Sequence, residues 1–193
     1  MQDATRFAFK EWAVVCEALH RGRQSLILRK GGIHEGREGF RVDHREFWLF
    51  PTAFHQQPDV LAEDARTLLS ELGSQAASPG LIAIRNYVQV EEVIEVRDEA
   101  LLGALTGLHI WSDSTISDRF HYRAPMLFAL LVRTYRLPTA IQIPESPHFA
   151  GCRSWVDLPG EIATSGLAPV LTDDEHHRQL ETIRRRLTSS TTS

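Results

Sequence analysis

Arg29 and Lys30 stand side by side at the close of an apolar run, in LILRKGGIHEG, and a pair of glycines follows them. Neighbouring strand residues face opposite sides, so only one of the two cations can enter a given hollow. An arginine there would hold a phosphate or carboxylate with two parallel donors, a lysine as a point charge. The glycines come after the lysine, and neither GxxxxGK[ST] nor GxGxxG occurs in the chain, which argues against phosphate-binding NTPase chemistry. Thr52, His55 and Gln56 follow the next apolar stretch, in FPTAFHQQ, and His44 precedes it. Two histidines and a hydroxyl near a cationic pair offer a general base and positioning donors. The competing reading is a solvated strand end with surface histidines.

Aromatic residues widen the candidate site. Trp111 lies in GLHIWSDSTISDRFHY, a segment that reads as a polar loop, and beside Arg119 and Tyr122 it could stack a base or cover a ligand. Trp155 is a second candidate for a base, although core packing is the commoner fate of tryptophan. His44, His55, His109 and His121 match no HExxH, finger or EF-hand spacing, and adjacent His176 and His177 diverge on a helix, so neither metal nor cofactor is expected. Cys16 and Cys152 form no CxxC and have no partner pattern for nucleophilic chemistry.

These side chains must be positioned by an alternation of sheet and helix. AVVCEALHRGRQSLILRK reads as a β-hairpin turning at Gly22, GGIHEGREG as a mobile loop, and EFWLFPT as a buried strand stopped by Pro51. Leu61, Ala65, Leu68, Leu69 and Leu72 keep helical spacing, and GSQAASPG ends that helix. LIAIRNYVQVEEVIEV supplies one long strand or two short ones, after which Asp98 caps a short helix. APMLFALLVRTYRLPTAIQIP predicts a core strand, a turn near Pro138 and another strand, its first half being open to a helical reading. FAGCRSWVDL predicts a final short strand. Thr172 and Glu175 make a capping box for a last helix whose inward stripe is His176, Leu180, Ile183 and Leu187. The expected organisation is one domain over residues 1–170, a helix over 171–187 packed on it, and a disordered tail over 188–193.

With 193 residues, 42% apolar and 24% charged, the chain has the makings of an ordinary core without metal or disulfides. Its longest uncharged apolar run, APMLFALLV, falls far short of the roughly 18 residues of a membrane span. A cytoplasmic protein with no membrane contact is the expectation. A net charge of -4 argues against coating of nucleic acid, yet His20 to Arg45 carries seven cations against three anions, and Asp59 to Glu99 three cations against nine anions. An acidic chain with one basic segment suits selective anion binding, unless both are solvated faces.

The blocks KEWAVVCEAL, LILRKGGI, FWLFPTAFHQ, RTYRL and GCRSWVDL, in this order, resemble the bacterial group catalogued as domain of unknown function 1802, over roughly Phe7 to Leu158. At the level of fold, ALHRGRQSLILRKG and LLVRTYRLPTAIQIP are similar to the ASCH and related PUA-like domains, small barrels that bind RNA or modified nucleobases. That similarity implies an α+β single domain with a mixed or antiparallel barrel-like sheet and flanking helices. It implies a cleft lined by Lys30, Thr52 and an acid such as Glu17 or Glu91, since some ASCH members resemble amidohydrolases that use Lys, Thr and Glu.

Three functions are therefore carried forward. The first is a module binding RNA, DNA or a nucleotide-like anion, with Arg29 and Lys30 on phosphate, Trp111 or Trp155 on a base, and His44, Gln56 and Arg119 alongside. The second is a metal-independent hydrolase of nucleic acid or a modified nucleoside, with His55 or Glu17 as base, Lys30 stabilising developing charge and Thr52 as positioner or nucleophile. The third is an interaction domain whose last helix docks on a partner chain.

Overall fold

Phe7, Phe9 and Glu11 alternate with Ala8 and Lys10, the period of a strand with two distinct faces. In a computed structural model, which describes residues 1–30, 44–52, 57–74, 79–151 and 153–188, this run is strand β1 (Ala4–Trp12). It leads directly into helix α1 (Ala13–His20), followed by β2 (Leu26–Arg29) and β3 (Glu46–Thr52). Two single 3-10 turns, Pro58–Val60 and Glu63–Ala65, precede α2 (Arg66–Ser74). Then come β4 (Leu81–Val96), α3 (Glu99–Ala104), α4 (Asp113–His121), β5 (Leu127–Pro144), β6 (Trp155–Ala163), β7 (Ala168–Pro169) and α5 (Asp173–Thr188).

The strands form one mixed sheet in the order β2-β5-β4-β3-β1-β6, with β7 added on β5. Only β1 and β3 run parallel, and the other ladders are antiparallel. The sheet curls until its outer strands meet: Arg29, closing β2, reaches Glu11 of β1 and Ser154 beside β6. Among the described residues no backbone pair joins β2 to β1 or β6, so the sheet is barrel-like without being closed. One face buries Phe9, Phe47 and Leu130 against α1, α2, α4 and α5. The other buries Trp48, Tyr87, Phe149 and Ile162. The result is an α+β fold with helices flanking a curled sheet.

Several expectations are corrected. The segment expected as a hairpin is a helix and then a strand. Gly22 does adopt a positive φ of 68°, but in a helix C-terminus: the Gly22 amide donates to Leu19 O at 3.1 Å and the Arg23 amide to Ala18 O at 2.9 Å, the paired bonds of a Schellman stop. A side chain there would meet Leu171 at 2.5 Å. β3 runs through Pro51, which pairs with Glu11. β5 does not turn at Pro138. Its register against β4 passes from Arg136 opposite Asn86 to Ile141 opposite Ile84, so Pro138, lacking an N–H, falls where the ladder is already broken. GLHIWSDSTISDRFHY holds a helix, α4, whose Ser112 hydroxyl accepts from the Thr115 amide at 3.3 Å.

The last helix has its expected capping box, with Glu175 accepting from the Thr172 amide at 2.9 Å and the Thr172 hydroxyl accepting from the Glu175 amide at 3.3 Å. Its stripe of His176, Leu180, Ile183 and Leu187 is buried on this chain's own core. The stripe is therefore not an exposed docking face for a partner. The glycine-rich loop, Cys152, the middle of GSQAASPG (75–78) and all but the first residue of the tail lie outside the described residues. No helix among the described residues is long and apolar enough to cross a membrane.

Candidate functional site

Glu11 is a carboxylate on a strand face that otherwise carries phenylalanines, and it is only 3% exposed. A buried carboxylate requires donors. Its own successor supplies one, the Trp12 amide at 2.8 Å, and Arg29 another, Nη1 to Oε2 at 3.3 Å. Arg29 is held further by the Ser154 hydroxyl, which accepts from Nη2 at 2.9 Å, and by the Phe9 ring, 4.6 Å beneath its guanidinium carbon. Its side chain keeps 22% of its exposure. The curl of the sheet produces this meeting, because β2 and β1 are not neighbours in the ladder.

α4 brings the second guanidinium. The helix begins just after Trp111, which is buried and tied to Leu61 by an isolated bridge. Two turns on, Arg119 folds back over the Trp111 ring at 3.8 Å and lies 5.4 Å from the Trp12 ring, the two indoles meeting edge to face at 5.0 Å. Burial pushes its pKa below the usual arginine range, Glu11 pulls it back and Arg29 pushes it down again. The group still carries its charge at any working pH. Among the described residues no hydrogen bond or ion pair takes the donors of Arg119. Glu11 pairs with Arg29 alone and acts on Arg119 only through its field, which leaves a local excess of positive charge beside two indole faces. Such an arrangement can bind an oxyanion with two-pronged geometry and shield it with aromatic surface.

His44 and Trp155 flank this site. The His44 ring stacks on Phe7 at 3.7 Å and meets Trp155 edge-on at 5.1 Å, and Trp155 packs on Phe9 at 4.8 Å. The Trp155 indole nitrogen is buried and has no hydrogen-bond partner among the described residues. Arg29, Trp111, Arg119, His44 and Trp155 of the expected set are thereby gathered round β1. His55 and Gln56 lie outside the described residues.

Lys30, Thr52 and Glu17 are not drawn together. The Lys30 ammonium donates to the Phe120 and Met126 carbonyls at 2.7 and 2.9 Å and to that of Ala124, closing the C-terminus of α4; burial lowers its pKa. Thr52 donates to the Glu11 carbonyl at 3.1 Å, behind the site. Glu17 is buried under Arg21, at 2.7 Å, and Arg85, at 3.3 Å. Glu91 binds His176 at 2.7 Å. An open groove of about 410 Å3 along α5 is lined by Arg133 and Arg184, both already paired to carboxylates of this chain. Among the described residues no three His, Cys, Asp or Glu side chains cluster as metal ligands.

The residues absent from the sequence reading are Glu11, Trp12 and Ser154. Glu11 had a signal: a carboxylate on the phenylalanine side of an alternating strand needs a buried partner. Ser154 had none, since it reaches Arg29 only through the curl.

The model of the domain of unknown function (DUF1802) matches residues 8–182. No curated protein matches the chain. Among solved structures, ASCH from Zymomonas mobilis is similar at 12% identity and a TM-score of 0.44, over 91% of this chain and 93% of that one. Two mutant forms of the same protein are similar at 13% identity, one with a TM-score of 0.43 over 91% and 96% of the two chains, the other with 0.42 over 94% and 98%. At those scores the likeness carries no argument about the site or its ligand.

Proposed function

The chain belongs to the domain of unknown function (DUF1802) family, and from that premise we propose that it binds single-stranded RNA or DNA, or a nucleotide cut from either, through Arg29 and Arg119. The observation behind this reading is the Arg119 guanidinium, seated against Trp111 with Trp12 beside it and without a hydrogen-bond acceptor among the described residues. Cation–π contact returns about 0.5–2 kcal/mol to such a group, and its half-buried guanidinium still has every donor to offer, where a hydrogen bond to a charged acceptor is worth about 1.5–3 kcal/mol. An arriving phosphate supplies the missing acceptor, and the neighbouring indoles suit the base attached to it. A bare carboxylate would satisfy the charge and leave the aromatic surface unused.

Two guanidinium groups predict a small phosphate count, in keeping with a chain whose net charge is -4. Single strands lose affinity with a logarithmic slope of about 0.7 per phosphate contacted. Binding of short oligoribonucleotides and oligodeoxynucleotides, followed by tryptophan fluorescence at several salt concentrations, is expected to show a slope of about -1 to -2. Absence of salt-dependent binding to every oligonucleotide and mononucleotide tried would end the proposal. The hydrolase reading has no comparable observation behind it, since the partners of Lys30, Thr52 and Glu17 are groups of this chain.

A further inference from the structure

Where α5 lies against the α1–β2 connection and β5, the joint is polar in its middle. The Ser25 hydroxyl donates to Gln179 Oε1 at 2.6 Å, and Gln179 Nε2 donates back to the Gly22 carbonyl at 2.9 Å. His176 is engaged with Glu91 at 2.7 Å. Beside these bonds lies a cavity of about 10 Å3, whose polar walls are Gln24, Ser25, Arg133, Thr134 and His176. That is the space of about one water molecule.

Three polar atoms of these walls are buried without a hydrogen-bond partner among the described residues: Gln24 Oε1, Thr134 Oγ1 and Arg133 Nε. Gln24 is 3% and Thr134 7% exposed. Arg133 keeps 22% of its side-chain exposure, but at its far end, where Nη2 reaches Asp173. The orientation of the Gln24 amide is set by its own bond, because Nε2 donates to the Leu26 carbonyl at 2.8 Å and an exchanged amide would put oxygen against oxygen there. Oε1 is thus an acceptor and Arg133 Nε a donor, while the Thr134 hydroxyl serves as either. In a cavity the size of one small molecule, the occupant is in reach of every wall.

We propose that this cavity is a binding site for a single water, which donates to Gln24 Oε1, accepts from Arg133 Nε and makes a third bond with the Thr134 hydroxyl. Three bonds are the usual complement of a buried water. Charge and size exclude other occupants. An anion would face the lone pairs of Gln24 Oε1 and a cation the Arg133 guanidinium, and about 10 Å3 admits no larger neutral molecule. The water joins parts of the chain that are far apart in sequence: Gln24 ahead of β2, Arg133 and Thr134 on β5 and, through Arg133, Asp173 at the start of α5. It belongs to the joint that holds α5 on the sheet, and it supplies the partners that three buried atoms would otherwise lack.

Oxygen-17 relaxation dispersion of the full-length protein counts waters that stay longer than the tumbling time, and exchanging hydroxyl hydrogens do not disturb it. Wild-type protein is expected to hold one more such water than a variant carrying both Gln24→Met and Thr134→Val. Those exchanges keep the side chains near their size and leave Arg133 Nε as the one unsatisfied polar atom of the cavity, fewer partners than a held water needs. A crystal structure of wild-type protein is expected to place a water oxygen about 2.7–3.2 Å from all three atoms. Equal counts for the two proteins, or density in which the three atoms bond directly to protein groups with no solvent peak between them, would overturn the assignment. The crystallographic arm uses no substitution, so a variant that does not fold leaves the test standing.

Discussion

Exchange of Arg119 for methionine removes a guanidinium from between two indoles while keeping a flexible chain of similar reach against them. A hydrogen bond to a charged group contributes about 1.5–3 kcal/mol, so an oligonucleotide that uses Arg119 should bind Arg119→Met roughly ten- to a hundredfold more weakly. The salt slope should shrink by about 0.7 for the one phosphate given up. Stability should respond differently. Contact with Trp111 at 3.8 Å and Trp12 at 5.4 Å is lost, about 0.5–2 kcal/mol. The methionine chain recovers part of that contact, and the half-buried guanidinium gives up little else. The unfolding midpoint should move by no more than about 2–4 °C in a chain of this size. Fluorescence titration at three salt concentrations, paired with a thermal melt, measures both quantities on one sample. Unchanged affinity and slope, or a collapse in stability with affinity of the folded fraction preserved, would show that Arg119 is a packing element and refute the reasoning.

Other outcomes follow from the fold. Gly22→Ala places a methyl 2.5 Å from Leu171 at a φ of 68°, and urea unfolding should show a loss of about 1–3 kcal/mol from the left-handed backbone and the displaced leucine together. Lys30→Met uncaps the carbonyls that end α4; because the site is partly exposed and water can replace the ammonium, the loss should stay near 1 kcal/mol, with oligonucleotide affinity of the folded protein changed less than about threefold. His109 is 6% exposed with its pKa lowered by burial to about 4. The unfolded chain takes up that proton near pH 6.5 and the folded one does not, so stability is full above about 6.5 and falls as pH drops toward 4, by up to about 3 kcal/mol. Across that window, melts of wild-type protein should show a loss of up to about 3 kcal/mol that His109→Gln protein does not show; parallel curves would remove His109 as the cause.

The sequence carried β4, as one long strand or two short ones, and the last helix because each had a clear composition or a paired cap, whereas β5 was broken in two at Pro138. β4 is a β-branched run, and α5 has both a capping box and a spaced apolar stripe. α1 was illegible for a physical reason: Val14 to Leu19 are all buried, so neither face of the segment had to be polar and period 2 fitted as well as period 3.6. Gly22 deepened the ambiguity, since a positive φ serves a Schellman stop as readily as a hairpin turn. α4 was hidden by its polar composition, and with it the geometry that sets Arg119 over Trp111. For the site, the cationic end of β2 was visible as Arg29. Its acceptor was not, because the distance from Arg29 to Glu11 depends on how far the sheet curls, which no local pattern encodes. Lys30 is equally cationic in the sequence, but its neighbour takes the carboxylate and Lys30 caps α4 instead.

The seam between β2 and β1 has a mechanical meaning. A hydrogen-bonded barrel can be prised apart only by giving up a row of amide pairs along a strand. Here, among the described residues, the hydrogen bonds between the lips come from one arginine, touching a carboxylate, a serine hydroxyl and a phenylalanine ring. Widening the mouth by a few ångströms therefore leaves every ladder of the sheet whole, and an anion that competes for Arg29 acts on the very fastening that sets the width.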